Sequence, residues 1–252
     1  MQRPVSSNLA PVQDKDPRTE DWMTRADLAR RSGLPERHPL VGLFHRFGGV
    51  RRANVAFEQL SHLHGHAFVD AVFDTLDVDI ELGEEDLSRL PKEGGFILVS
   101  NHPFGPLDAL ALAREVGNVR SDFKLGVDDS MGNIPQLERA FVVLSDAENE
   151  GGGARLSGWR AAATHVKSGG AFGIFPAVEV SSYRRSAKWV ADGRWNASLV
   201  GWAKKQGVPI VPVYIDGANS PLSQWLGLIH PSLRSLRMTA DLQNKKGQVL
   251  RM

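Results

Sequence analysis

The sequence predicts an α/β fold: a mostly parallel sheet with helices on both faces, preceded by a small N-terminal helical region. Three observations predict it. From residue 94 onward, short apolar runs alternate with helical stretches of about 10–15 residues, the pattern of parallel strands joined by crossover helices. The longest apolar runs, Gly95–Ser100, Ala171–Ala177 and Val208–Ile215, are strand-sized and broken by Gly or Pro. Upstream, the apolar spacing is 3–4 and changes to 2 at Val78-Asp79-Ile80-Glu81-Leu82, so helices come before the first half-exposed strand.

Taken in order, residues 1–20 are polar and contain Pro4, Pro11 and Pro17. They are expected to form a disordered arm without the apolar core of a secretory leader. Residues 21–76 form the helical region. Asp21 or Thr24 caps a short helix holding Leu28. A second helix, about Val55–Leu63, offers Val55, Phe57 and Leu60 for burial. A third, about Ala67–Leu76, offers Phe68, Val69, Val72, Phe73 and Leu76. Residues 77–252 form the α/β domain. Its expected strands are Phe96–Ser100, Asp122–Val127, Phe141–Leu144, Ala171–Phe175 and Pro209–Ile215. Its expected helices are Leu107–Val116 (stopped by Gly117), Ala154–Lys167 (stopped by Gly169-Gly170) and Asn196–Gln206 (stopped by Gly207). Gly151-Gly152-Gly153 reads as a loop. Two prolines in Pro209–Ile215 suggest an edge strand, or one whose backbone a ligand reads.

Composition narrows the chemistry. The chain of 252 residues has no cysteine, which excludes disulfides, thiolate metal sites and cysteine nucleophiles. Thirty basic against 29 acidic residues give a net charge of +1, which argues against a nucleic-acid partner. No run approaches the ~20 apolar residues of a membrane span. No Gly-x-Ser-x-Gly elbow is present, which argues against a serine hydrolase. His62, His64 and His66 resemble a metal cluster, but only His62 and His66 would share a helical face, and Gly65 is expected to end that helix; no metal is expected.

The chemistry concentrates at three strand ends, where α/β sheets bind ligands. The first is Ser100-Asn101-His102-Pro103-Phe104-Gly105-Pro106-Leu107-Asp108. A turn stiffened by two prolines and a glycine can fold Asp108 back onto His102, leaving one ring nitrogen free as a general base. A structural turn histidine beside an ordinary N-terminal carboxylate fits the same residues equally well. The second is Phe175-Pro176-Ala177-Val178-Glu179-Val180-Ser181, followed by a cationic stretch. Between Tyr183 and Lys205 there are six basic residues and one acid, Asp192. This suits an anionic ligand or surface, although a solvated basic face is the more frequent meaning of such a charge run. The third is Val211-Pro212-Val213 leading to Gly217 and Asn219-Ser220. The segment Leu40–Phe47 also sets apolar residues at helical spacing beside Arg46, Arg51 and Arg52. It suits either a helix lying in a membrane interface or one packed on the domain.

Together, Asn-His-Pro-Phe-Gly at 101–105 with Asp108, Phe-Pro-Ala-x-Glu-Val-Ser at 175–181, and Val-Pro-Val at 211–213 resemble the lysophospholipid acyltransferase superfamily. The likeness is closest to its hemolysin-like branch, which includes ornithine-lipid acyltransferases, and runs from about Leu40 to Arg251. The resemblance implies transfer of a fatty acyl group from acyl carrier protein or coenzyme A to a lyso-amino-acid lipid or lysophospholipid. It implies His102 as general base and Asp108 as its orienting carboxylate. The substrate site would be lined by Asn101, Pro103, Phe104, Gly105, Phe175, Pro176, Glu179, Ser181, Arg184 and Pro212, with no cofactor. It implies a cytoplasmic protein, peripheral on the inner face of the membrane. The alternative is a non-catalytic lipid or carrier-protein binder with the same fold. Five residues separate His102 from Asp108, as in the hemolysin-like branch, against four in the wider superfamily. The Phe-Pro-Glu-Gly-Thr-Arg form of the glycerophosphate enzymes is replaced, its arginine is missing, and Val178 stands where the branch has glycine. Valine does not readily take φ > 0, so the turn is expected to be reshaped or not to require it. Chains of this branch usually extend somewhat beyond the position of Met252, so the resemblance leaves either a truncated chain or a loss of activity open.

Overall fold

A computed structural model describes residue 21 and residues 23–132, 134–144 and 153–252. The expected arm at 1–20 and the loop at 151 and 152 lie outside the described residues. Among the described residues, four helices open the chain: α1 (Arg25–Ser32), α2 (Pro39–Phe47), α3 (Val50–Gln59) and α4 (Gly65–Leu76). Then follow β1 (Asp79–Glu81), α5 (Glu84–Ser88), β2 (Phe96–Ser100), α6 (Pro106–Val119), β3 (Lys124–Val127), α7 (Asp129–Gly132) and β4 (Phe141–Val143). The chain continues with α8 (Gly153–Lys167), β5 (Ala171–Ile174), β6 (Ser182–Arg184), β7 (Trp189–Ala191), α9 (Ala197–Lys205) and β8 (Ile210–Val213). It closes with α10 (Pro221–Ile229), α11 (Pro231–Gln243) and β9 (Val249–Arg251).

The main sheet has five parallel strands in the order β4-β3-β5-β2-β8. Both faces are covered, as continuous apolar strands require. Phe96 and Leu98 of β2 face a core shared with Phe68, Val72 and Phe73 of α4 and Leu107, Leu110 and Leu112 of α6. Ile97 of β2, with Phe172 and Ile174 of β5, faces Ala162 and Val166 of α8 and Ala203 of α9. Removing a ring such as Phe172, which is fully buried, would cost about 3–5 kcal/mol. At the amino end of the sheet, buried Arg120 donates to the carbonyls of Pro91, Gly94 and Gly169 and pairs with Asp122 at 2.8 Å. The edge reading of the proline-bearing strand holds: among the described residues β8 pairs only with β2, and Pro212 stands opposite Val99.

The N-terminal helices gather around the C-terminal one. Thr24 caps α1 reciprocally with Asp27, and Gly33 ends the helix at φ 66°. Met23, Leu28, Val41 and Val50 meet Leu236 of α11 in a second core. β9 pairs in parallel with β1, so the last strand returns to the first. The second helix starts at Val50 rather than Val55, and its buried residues are Val50, Ala53 and Asn54; Val55, Phe57 and Leu60 are half-buried. Helix α2 divides its apolar residues: Val41 is buried, Leu40 and Phe44 pack beside it, and Leu43 and Phe47 face outward, Phe47 at 72% exposure. Gly117 does not stop α6. It lies inside the helix, where a Cβ would come within 2.4 Å of the His66 ring. Gly65 starts α4 instead of ending α3.

Candidate active site

The carboxyl ends of β5, β2 and β8 lie side by side, so the three sequence motifs meet at one edge of the molecule. Beyond Ser100 the ladder is continued by a side chain. Asn101 donates from Nδ2 to the Ile215 carbonyl and accepts from the Ile215 N–H, both at 2.7 Å. Both ends of that amide are therefore engaged in holding the turn to β8. The His102 backbone is gripped from two sides: its N–H donates to Asp192 Oδ1 at 3.1 Å, and its carbonyl accepts from the Ser181 N–H at 2.8 Å. Gly105 takes φ 80° and ψ −123°. A Cβ there would also stand 3.1 Å from Met238 Sδ and 3.3 Å from Val180 Cγ2, so glycine suits both the conformation and the space. Pro106 then opens α6.

Asp108 lies in the first turn of α6 and folds back over the motif. Its Oδ2 accepts the N–H groups of Phe104 at 2.9 Å and Gly105 at 3.0 Å, and stands 3.0 Å from His102 Nδ1. The imidazole contact has the distance of an ion pair without the alignment of a hydrogen bond. Nδ1 and the carboxylate's Oδ1 are buried with no hydrogen-bond partner among the described residues. Asp108 is fully buried, and burial pushes its carboxyl pKa upward, against the pull of His102 and the two N–H donors. One face of the imidazole stacks on Phe175, with centroids 4.0 Å apart and planes 24° apart. The His102 side chain is 14% exposed. With Nδ1 buried, what solvent reaches is the Nε2 side of the ring.

The other expected residues divide by position. Pro103, Phe104 and Pro176 are buried. The Phe104 ring packs under Gly217 and the Lys245 ammonium, which sits 4.1 Å from its centroid. Ser181 is buried and donates its hydroxyl to Asp192 at 2.5 Å. Glu179 is exposed and lies between two arginines, 3.2 Å from Arg184 and 3.6 Å from Arg234. Pro212 is exposed on the edge strand. The turn at Val178 is not reshaped: Val178 adopts φ 66°, so the left-handed conformation is kept by a β-branched residue, and the strain is stored there.

Two further residues belong to this site. Asp192 accepts from the His102 backbone, the Ser181 hydroxyl and the Trp195 indole at 3.1 Å, tying the β6–β7 hairpin to the histidine turn. In sequence its only mark is that it is the lone acid of a cationic stretch. Arg234 is brought in from α11. Elsewhere, His62, His64 and His66 are exposed and sit on a turn and the start of α4, not on one helix. Among the described residues no His, Asp and Glu group is placed to hold a metal ion. A cavity of about 560 Å³ lined by His66, Val69, Gly117 and Phe123 lies at the amino end of the sheet, opposite His102.

Comparison with known proteins bears on the family of the chain. Residues 46–237 match the family model described as acyltransferase. The chain is 27% identical over 168 residues to a lyso-glycine lipid O-acyltransferase of Bacteroides thetaiotaomicron, covering 66% of this chain and 59% of that protein. It is 26% identical over 168 residues to a lyso-glycine lipid O-acyltransferase of Phocaeicola vulgatus, covering 66% and 57%. The matched part thus spans less than two thirds of either relative. The crystal structure of the 1-acyl-sn-glycerophosphate acyltransferase of Thermotoga maritima aligns with a TM-score of 0.39 at 22% identity, covering 76% of this chain and 66% of that one.

Proposed function

This chain belongs to the acyltransferase family, and we propose that it moves a fatty acyl group from a thioester, on acyl carrier protein or coenzyme A, to the hydroxyl of a lyso-amino-acid lipid. The observation that carries this reading is the His102 ring, set between buried Asp108 and Phe175 with its Nε2 side toward solvent. The acceptor hydroxyl attacks the thioester carbonyl as Nε2 takes its proton. Asp108 Oδ2, 3.0 Å from Nδ1, favours the imidazolium that forms. The tetrahedral intermediate collapses, the C–S bond breaks, and the leaving thiolate recovers the proton from His102. No acyl-enzyme is required. The N–H groups of Phe104 and Gly105 serve Asp108, so oxyanion stabilisation comes from other donors.

The relatives' name, with a glycine lipid as acceptor, favours a carboxylate-bearing headgroup over lysophosphatidic acid. Arg184 and Arg234, converging on the Glu179 carboxylate, are the groups suited to receive that anion when Glu179 swings away. No helix among the described residues is long and apolar enough to cross a membrane; the lipid acceptor is met at the inner membrane surface. The test is thioester consumption with purified protein against a panel of lysolipids. Turnover with lyso-glycine lipid above that with lysophosphatidic acid supports the reading, and the reverse order refutes the acceptor assignment.

A further inference from the structure

Helix α10 is turned inside out. Its buried side is polar: Ser223 is 0% exposed and donates its hydroxyl to Asp241 of α11, and Gln224 accepts the Tyr183 N–H at 2.8 Å. Its outward side is apolar. Leu222, Trp225, Leu228 and Ile229 are all exposed, Trp225 and Ile229 each at 57%. The sequence Pro221–Ile229 holds no charged residue. A surface helix normally shows the opposite arrangement, and a clustered apolar face of this kind marks an interaction site.

The Gln224 contact seats the β6–β7 hairpin against this helix. The hairpin carries Trp189, 65% exposed, and the exposed cations Arg185 and Lys188. Neither cation has an ion-pair partner among the described residues. Ser181, one residue before β6, donates its N–H to the His102 carbonyl, so this face adjoins the mouth of the active site.

We infer that the α10 stripe with the Trp189 hairpin is the docking surface for an anionic lipid bilayer, with Leu222, Trp225 and Ile229 inserted below the headgroups. Exposed aliphatic and indole side chains rimmed by cations are the pattern of an interfacial helix. Charge selects the bilayer over a second copy of this chain. A two-fold dimer through the stripe would bring like cationic rims together, whereas anionic lipid neutralises them. This rests on the lipid-acceptor reading and specifies where the lipid is met.

The test measures binding directly. The whole protein is sedimented with vesicles of phosphatidylglycerol and phosphatidylcholine, and with phosphatidylcholine alone, over a salt series. Binding to the anionic vesicles that weakens with salt is expected. Leu222→Ser/Trp225→Ser and, separately, Arg185→Glu/Lys188→Glu should each lower it at least about tenfold. These residues are exposed, so melting temperatures should stay near that of the parent; the charge variant serves should the first pair fold poorly. Turnover with a detergent-dispersed acceptor separates the two readings, since the docking variants should keep it. Unchanged vesicle binding in both folded variants, no vesicle binding by the parent, or a parent dimer that both variants dissociate would each overturn the proposal.

Discussion

The imidazole of His102 and the ring of Phe175 lie face to face, 4.0 Å between centroids, joining the turn after β2 to the turn after β5. The stack orients the ring whose Nδ1 stands 3.0 Å from Asp108 Oδ2. Replacing Phe175 with Ala should let the imidazole swing. An aromatic pair is worth about 0.5–1.5 kcal/mol, so kcat should fall roughly 2–10-fold with KM changed less. Steady-state kinetics check this; a rise in KM alone would mean that Phe175 binds substrate and does not position the base.

Asp192 is the second positioning group. Asp192→Ala removes the acceptor for buried Ser181 and for the His102 N–H. The loss should destabilise the protein by about 1–3 kcal/mol and slow turnover roughly 10–100-fold through misplacement of the histidine. Urea melts and activity are measured on the same samples. Stability lost with turnover intact would reduce Asp192 to a structural role.

Val178→Gly should stabilise. Val178 holds φ 66° on an exposed turn, a conformation that costs an L-residue about 1–2 kcal/mol; part of the relief is offset by the greater freedom of glycine in the unfolded chain. The net gain should be about 0.5–1 kcal/mol, or roughly 1–4 °C in melting temperature. A lower melting temperature would show that the valine side chain contributes contacts outweighing the strain.

Asp108→Asn separates stability from activity. The unfolded carboxyl ionises near 3.8, and burial raises the folded value above it. In that window the folded state binds more protons than the unfolded. The contribution of Asp108 to stability is therefore greatest below 3.8 and falls as pH rises through the folded value. An amide carries no such dependence. Relative to the parent, Asp108→Asn should gain stability as pH rises from about 4 and be at least as stable near pH 7, while turnover drops on the order of 10²–10⁴-fold. Urea melts across pH give the first quantity and initial rates the second.

What was legible in the sequence follows from where local signals suffice. β2 matches the expected span at Phe96–Ser100 because a short apolar run is bounded by Gly95 and Asn101. α9 starts where expected because Asn196 caps it, accepting from the Ser198 N–H. The strand order was not legible: β5 inserts between β2 and β3, and crossover placement is a tertiary matter. Helices α10 and α11 carry no plain helical signal in the sequence. In α10 the usual polarity is reversed, and in α11 buried Thr239 and Asp241 interrupt an apolar stripe. The β6–β7 hairpin was hidden because its turn uses Lys188 at φ 63° where glycine would have flagged it. His102 and Asp108 were visible as a motif. Asp192 became visible only when the chain folded the hairpin onto it.

The central claim is that His102 is the base of an acyl transfer. The most direct measurement is the initial rate of acyl transfer from a thioester to lyso-glycine lipid by His102→Ala, with folding verified by its melting temperature. The account predicts a folded protein with turnover lowered about 10²–10⁴-fold, because the ring lies on a turn and its loss leaves the backbone bonds to Asp192 and Ser181 intact. A folded His102→Ala protein that transfers acyl groups at close to the parental rate would contradict it.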